Sequence, residues 1–352
     1  MQQRIRQPQM PAEWSPHYGT WLSWPHNRDT WPGVLAEAEA AMAAAAGELS
    51  QREIVHINVL DEAHGRHVEQ CLRGRADDRN IRLELIPTDD AWIRDYGAIF
   101  VAESGAECVS AAINFDYNAW GGKYPPFDQD RAVASLMAQR FGLECVDSAI
   151  VLEGGSVDVN GAGLGMVTEQ CLLNPNRNPS LGRDAIAAVL AECLGLTELV
   201  WLGDGVVGDD TDGHIDNLAR FVAANRVVTI TTQDTHDPNF AALDDNRRKL
   251  EAFRTAAGAA LEVIELPLPP PVMHNGVRLP ASHANFYIAN ECVLMPAFGC
   301  DTDAIAAGIL ADCFPSRRII PIDCRPLVVG LGALHCLTQQ IPVMVSGSNP
   351  RA

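Results

Sequence analysis

Positive charge is scarce in this 352-residue chain. Twenty-six Lys and Arg face 45 Asp and Glu, for a formal charge of −19. A field of that sign repels phosphate backbones, so no nucleic-acid partner is expected. Long apolar runs are missing too. The longest candidate, residues 36–49, is Ala-rich but broken by Glu37, Glu39, Gly47 and Glu48. It is expected to form a helix of a water-facing protein, and no membrane partner follows. Residues 1–11 are polar, with no apolar segment of signal-peptide type, so a cytoplasmic location is expected. Paired cysteines are also lacking. The ten Cys, at 71, 108, 145, 171, 193, 292, 300, 313, 324 and 336, form no C-x-x-C. That excludes a zinc ribbon or a thioredoxin motif and leaves reduced thiols, expected in the core. Ser/Gly linkers, charge blocks and low-complexity tails are absent as well. With 47% hydrophobic and 20% charged residues, the chain is expected to fold as a single domain over 1–352.

What is present is an alternation. Val- and Ile-rich strand-like runs, among them 149–159, 165–173 and 333–345, alternate with segments carrying Leu, Ile and Ala at i, i+3, i+4 spacing, which argues for an α/β fold. A faint repeat runs through it. An apolar run, an Asn and a second apolar run recur at Asn160, Asn225 and Asn290, 65 residues apart each time. An earlier copy turns at Ser104-Gly105. A hairpin followed by a helix, reused along the chain, predicts a closed ring of like modules. A fifth module would be built from the two chain ends.

Three familiar motifs fail on their surroundings. Gly203-Asp-Gly205-Val-Val-Gly208 fits G-x-G-x-x-G, but an acidic turn, Asp209-Asp210-Thr-Asp212, follows where a dinucleotide site needs a helix N-terminus. The same acidic turn fails as a calcium loop, because Gly213 would place Gly208 and Ala219 at carboxylate positions. His64 and His67 share a helix face but lack a third ligand nearby, so they read as a solvated face.

Five residues remain at predicted strand ends: Asp95, Glu153, His214, Asp216 and Cys336. Spacings of 58 and 61 lead from Asp95 to Glu153 to His214, and 122, twice 61, leads on to Cys336. One residue per module at equivalent strand ends would converge on the ring axis. A thiol, an imidazole and three carboxylates make a nucleophile, an acid/base and an anionic cradle. Three carboxylates would oppose the oxyanion of a peptidase. They suit a carbon that is already cationic, such as a guanidinium, whose planar fork matches bidentate carboxylates.

The motifs around these residues resemble the agmatine deiminase family, the branch grouped with bacterial peptidyl-arginine deiminases, inside the guanidino-group-modifying superfamily. The resemblance rests on Met10-Pro-Ala-Glu-Trp-Ser-Pro-His17, Trp21-Leu-Ser-Trp-Pro25, Trp92-Ile-Arg-Asp95-Tyr-Gly97, Asn118-Ala-Trp-Gly-Gly-Lys123, Leu152-Glu-Gly-Gly-Ser156, Asn174-Pro-Asn-Arg-Asn-Pro179, Thr211-Asp-Gly-His-Ile-Asp216 and His335-Cys-Leu-Thr-Gln-Gln340. It implies a pentein-type, pseudo-fivefold propeller of five α/β modules. It implies hydrolytic deimination of agmatine, in polyamine and putrescine biosynthesis, with no metal and no cofactor. Cys336 is then the nucleophile and His214 the acid/base. Asp95 and Asp216 bind the guanidinium, and Glu153 bonds the guanidine and supports His214.

The partner is therefore expected to be a small cationic guanidine, and a homo-oligomer is allowed. The stretch before the nucleophile, Gly330-Leu-Gly-Ala-Leu-His335, departs from the Gly-Gly-Gly-Asn-Ile-His-like run typical of the family, which puts the substrate in more doubt than the reaction. The distal amine of agmatine wants a further carboxylate, for which Asp210 is the candidate, and Trp92 and Trp120 are candidates to line the alkyl path. Deimination of arginine, of peptidyl-arginine or of another guanidine stays open and would need Lys123 or Arg177 for a substrate carboxylate. An amidinotransferase or a silent guanidine-binding protein also stays open.

Overall fold

One unit, a hairpin whose second strand leads through a helix into a parallel third strand, organises the chain. The computed structural model describes residues 7–106 and 108–344. In it the unit appears as Ile99–Glu103, Val109–Asp116, helix Asp128–Phe141 and Glu144–Val151. It recurs as Asp158–Val159, Leu164–Thr168, helix Arg183–Leu194 and Glu198–Leu202. Ala219–Ala223, Arg226–Thr231, helix Phe240–Ala252 and Glu262–Pro267 repeat it. So do Tyr287–Ala289, Cys292–Ala297, helix Asp301–Cys313 and Arg318–Asp323. The fifth copy joins the chain ends: Thr338–Pro342 pairs antiparallel with His17–Ser23, which leads through helix Leu35–Ser50 into parallel Ile54–Val59. The fold is mixed α/β.

The recurrent Asn residues have a local cause. Asn160 Oδ1 accepts the N–H groups of Ala162 and Leu164 and closes its hairpin, while its Nδ2 donates to Ala224 O of the next one. Asn290 brackets His17 with both ends of its amide, accepting from His17 N and donating to His17 O. Each turn thus pays out its polar groups to a neighbour instead of to water. Helix Leu35–Ser50 buries Ala38, Ala43, Ala45 and Ala46, small side chains that let it lie close on the sheet, with Trp24 and Trp31 packed beneath.

Three strand expectations need correction. The run 149–159 is not one strand: it breaks after Val151 into a 3-10 turn, Gly154–Ser156, before Asp158–Val159. Gly155 N–H is drawn instead to Asp95 Oδ1, 3.0 Å away. The run 165–173 turns helical at Glu169–Leu172, because Thr168 Oγ1 accepts the Cys171 N–H and caps the turn. Of 333–345, only Thr338–Pro342 is strand, and Val345 lies outside the described residues, as do residues 1–6 of the leading segment. The thiols also depart from expectation. All ten are free, but only Cys171, Cys292, Cys324 and Cys336 are buried. Among the described residues, no helix is long and apolar enough to cross a membrane.

Candidate active site

The loop entering the first strand of each unit is where the chemistry collects. Asp95 lies on the one-turn helix Ile93–Tyr96, ahead of Ile99–Glu103. Glu153 stands at the start of the turn Gly154–Ser156, ahead of Asp158–Val159. His214 and Asp216 flank the start of the turn Ile215–Asn217, ahead of Ala219–Ala223. Cys336 precedes Thr338–Pro342. All five side chains are buried.

The five meet. His214 Nδ1 lies 3.7 Å from Asp95 Oδ1, and His214 Nε2 lies 3.9 Å from Glu153 Oε2. Cys336 Sγ lies 3.6 Å from Asp216 Oδ2 and donates its S–H there. Gly155 marks the centre: a methyl on its Cα would fall 2.6 Å from His214 Nδ1, 2.8 Å from Asp95 Oδ1 and 3.0 Å from Asp216 Oδ2. Both His214 nitrogens, Glu153 Oε2 and Asp216 Oδ1 are buried without a protein partner. Unmet acceptors at full burial are costly, and the two carboxylate oxygens are ones that a planar, many-donor cation would satisfy.

Support comes from side chains the motif spacing did not single out. Asn285, two residues before Tyr287–Ala289, occupies the loop of the fourth unit, the one skipped by the doubled spacing of 122. Its Nδ2 donates to Cys336 Sγ at 3.1 Å, and its Oδ1 accepts from His335 N at 2.9 Å. His335 bridges two carboxylates: Nδ1 contacts Asp216 Oδ2 at 2.7 Å and Nε2 contacts Glu13 Oε2 at 2.9 Å. Arg177 Nε donates to Glu153 Oε1 at 2.6 Å, fixing that carboxylate while leaving Oε2 toward His214. Trp120 Nε1 donates to Asp95 Oδ2 at 2.9 Å. Arg94, adjacent to Asp95 in sequence, turns away to Gln340 and Glu13.

Burial and charge set the protonation states. Burial lifts the Asp95 carboxyl to about 6, with His214 pulling the other way. Burial works against a charged His214, but Asp95 foremost, with Cys171 and Glu153, overcomes it and holds the imidazole well above its ordinary value. Burial also opposes ionisation of Asp216, yet the hydrogen bond from His335 keeps it below the usual carboxylate range. Cys336 is pushed well above an ordinary thiol by burial, then by Asp216 and Asp95. Without a ligand, the site therefore holds a protonated imidazole and a protonated thiol among carboxylates.

A cavity of about 200 Å³ leads to Cys336. Its wall carries Asp29, Asp90, Asp95 and Asp210 beside Trp92, Trp120 and Tyr124, and no Lys or Arg is among its lining residues. Asp210 sits at the outer part, held by Tyr124 Oη and by Lys123 Nζ, which contacts Asp210 O at 2.6 Å. Both basic candidates are engaged elsewhere. Lys123 spans Asp210 and Asp212, and Arg177 spans Glu153, Asp212 and Thr211 O. Within the run before Cys336, Gly332 has a local cause, because a Cβ there would strike the Trp92 ring at 2.3 Å; that contact does not explain Leu331, Ala333 and Leu334, where the run departs.

Metal-capable atoms of Glu153, Cys171 and His214 lie within 4.8 Å of one another. There Arg177 already pairs with Glu153, and all three side chains are fully buried, so the corner is charge-compensated without a divalent ion.

Residues 9–342 match the profile of the Porphyromonas-type peptidyl-arginine deiminase family. The agmatine deiminase of Ectopseudomonas mendocina is 38% identical over 95% of both chains. The structure of the agmatine deiminase of Enterococcus faecalis superposes with a TM-score of 0.90 at 30% identity, over 96% of this chain and 97% of that one. A C. jejuni agmatine deiminase with substrate bound superposes with a TM-score of 0.86 at 31% identity, over 96% of this chain and 97% of that one.

Proposed function

The chain belongs to the Porphyromonas-type peptidyl-arginine deiminase family, and from that membership we propose that it is an agmatine deiminase, hydrolysing agmatine to N-carbamoylputrescine and ammonia. The observation that carries the reading is the gathering of Asp95 and Glu153 at His214 and of Asp216 at Cys336, with Cys336 at the wall of a cavity carrying four aspartates and no Lys or Arg. Asp95 and Asp216 bind the two edges of the guanidinium, and Glu153 takes a third N–H. Trp92 and Trp120 flank the alkyl chain, and Asp210 takes the distal ammonium. The five repeated units are read as blades of a five-module propeller, within one catalytic domain.

The entering guanidinium supplies the positive charge that Cys336 lacks, and the thiol gives up its proton to the water of the open cavity as the cation docks, the proton that later turns the released ammonia into ammonium. The thiolate attacks the guanidinium carbon, forming a C–S bond. Protonated His214 gives its proton to the departing nitrogen, which leaves as ammonia. A cationic amidino-thioether remains, held by the same carboxylates. Neutral His214 then takes a proton from water, the hydroxyl adds to the carbon, and the C–S bond breaks as the new hydroxyl gives up its proton to the departing sulfur, releasing the neutral ureido product and restoring the Cys336 thiol beside protonated His214. The carboxylates do their work by fixing charge and geometry around a poor electrophile.

Arginine or a peptide ending in arginine is the second reading. The engagement of Lys123 and Arg177 with carboxylates weighs against it, since neither is left to meet a substrate carboxylate. The test is a colorimetric ureido assay on agmatine, arginine and an arginine peptide, run beside Cys336→Ala. Agmatine should be turned over, and the variant should be inactive. Ammonia release that persists in the variant removes Cys336 as nucleophile, and a preference for the peptide moves the substrate.

A further inference from the structure

Away from the cavity, the sequence pair His64 and His67 looked like a solvated face for want of a third ligand. The fold supplies more than one. His64, His67 and Cys71 fall on one face of helix Glu62–Leu72, at i, i+3 and i+7. Helix Leu35–Ser50 packs alongside and brings Glu39 to the same point. Glu39 Oε1, His67 Nε2 and Cys71 Sγ all lie within 4.8 Å of one another. We propose that Glu39, His67 and Cys71 form a surface site for a zinc-like divalent cation that ties these two helices together.

The donor set is the first argument. Thiolate, imidazole and carboxylate together are the ligands of zinc, and a cluster of oxygens alone would not select it. Geometry is the second. Cys71 Sγ and His67 Nε2 are 3.6 Å apart. Ligands at zinc–sulfur and zinc–nitrogen bond lengths in a tetrahedron stand roughly 3.6 Å apart. His67 Nε2 and Glu39 Oε1 are closer, at 2.6 Å, a hydrogen bond that the ion would replace. His67 is about half exposed, so its ring can open that gap by the fraction of an ångström required.

Orientation is the third. Trp24 Nε1 donates to the same Glu39 Oε1 at 2.8 Å and holds the carboxylate in place, as outer partners do in built metal sites. Access is the fourth, since none of the three ligands is buried, and an ion enters without unfolding. The fourth coordination position falls to water. His64 stacks on His67 with its rings 14° apart, and its Nδ1 is taken by the N–H of Leu60. It frames the site without being counted as a ligand. Arg75 is the cation that bears on Cys71, and Glu39 opposes it.

Cobalt(II) is the probe, because a thiolate ligand gives it a charge-transfer band and a tetrahedral site gives it strong visible bands. The titration uses the full-length Cys171→Ala, Cys300→Ala, Cys336→Ala protein, which removes as competitors the active-site thiol and the thiols of the two other Cys/His/carboxylate groupings, Glu153–Cys171–His214 and His283–Cys300–Asp303. One equivalent should develop both bands, and zinc should displace them. Adding Cys71→Ala should abolish the charge-transfer band, and adding His67→Ala or Glu39→Gln should weaken cobalt binding at least tenfold. In the otherwise native chain, zinc should raise the unfolding temperature, and Cys71→Ala should remove that rise while leaving agmatine turnover intact. Bands that survive Cys71→Ala, or a zinc-induced rise equal in all variants, overturn the site. Loss of turnover in Cys71→Ala would mark misfolding, and Cys71→Ser, which keeps size and polarity, then decides. It should fold and turn over agmatine but lack the charge-transfer band, and retention of the band overturns the site.

Discussion

The side-chain amide of Asn285 donates to the sulfur of Cys336 across 3.1 Å, from a loop 51 residues away. A donor on sulfur favours the thiolate, in a site where burial, Asp216 and Asp95 all favour the thiol. Asn285→Ala should therefore lower kcat/KM by roughly 10- to 100-fold, the range of about 1.5–3 kcal/mol for a hydrogen bond to a charged group. Its pH profile should shift upward with it. Asn285→Asp should be worse, because it adds a fourth negative charge next to the sulfur. Steady-state rates against pH for the three proteins are the check, and an unchanged profile in Asn285→Ala would remove the amide from the reaction.

The raised Cys336 thiol predicts which alkylating agents act on the free enzyme. Iodoacetamide is neutral and should modify Cys336 slowly at neutral pH, no faster than the half-buried thiols. A haloacetamidine carries the cation that the carboxylates await, and each unit by which it lowers the thiol pKa gives tenfold more thiolate. It should inactivate more than ten times faster than iodoacetamide, with agmatine protecting. Rates of inactivation for the two reagents, with the labelled residue mapped by mass spectrometry, decide this, and equal rates would mean that the cation does not tune the sulfur.

The residues proposed to do the chemistry were legible in the sequence because they recur at steps of about 60 residues, or twice that, and belong to reactive residue types. Asp95, Glu153, His214, Asp216 and Cys336 could be named, and the structure brings all five together. Asn285 escaped for a physical reason. Asn is common in turns, so only the unfilled step inside the 122-residue gap marked its loop. Gly155 carries no functional group, and its part is the room it leaves. Arg177 was legible as a charge, but its commitment to Glu153 depends on a contact 24 residues away, which spacing does not report. The pairing of Glu39 with His67 was hidden in the same way, by 28 residues and a helix–helix contact. The hairpin repeat was readable because apolar runs on either side of an Asn turn recur every 65 residues, and at Asn160 and Asn290 the turn amide bonds backbone groups.

Gly155→Ala tests that room. The added methyl meets His214 Nδ1, Asp95 Oδ1 and Asp216 Oδ2 at 2.6–3.0 Å, and the two carboxylate oxygens cannot back away without stretching their bonds to Gly155 N and His335 Nδ1. Overpacking of this kind costs roughly 1–3 kcal/mol in stability, a shift that thermal unfolding will show as a few degrees. Activity should fall much further, by more than about 100-fold, since a misplacement near 1 Å at the reacting centre is enough for that. If activity and stability fall in proportion, the glycine matters only for folding.

Acid should weaken the enzyme through Asp95. Its carboxyl titrates near 6 in the free protein and must be ionised to hold a guanidinium. The value of kcat/KM should therefore drop as pH falls through about 6. Stability runs the opposite way for this group. Its folded pKa lies above the unfolded value near 3.8, so the folded state binds more protons between about 4 and 6. The contribution of Asp95 to stability is full below about 4 and declines as pH rises through 6. Asp95→Asn should abolish turnover and flatten that part of the stability profile, and urea midpoints measured at pH 4.5 and 7 read the difference.

Asp210 decides how the far end of the substrate is held. Its carboxylate lies at the outer part of the cavity, about half exposed, bonded by Tyr124 and reached by Lys123 at 3.4 Å. An ammonium arriving there competes with Lys123 for the same oxygens, so Asp210→Asn should raise KM for agmatine by roughly tenfold with a smaller change in kcat, as loss of uniform binding requires. Butylguanidine, which has the same alkyl chain and no distal amine, should be handled alike by native and variant proteins. Lys123→Ala should act in the opposite direction and lower KM for agmatine, because it frees the carboxylate, unless Lys123 is needed to hold the 121–126 loop in place. The butylguanidine arm separates these cases: a loop that has come loose raises KM for both substrates, and an amine subsite affects agmatine alone. Should both substrates respond equally to Asp210→Asn, the distal amine is held elsewhere, with Asp29 and Asp90 the remaining acidic residues on the wall.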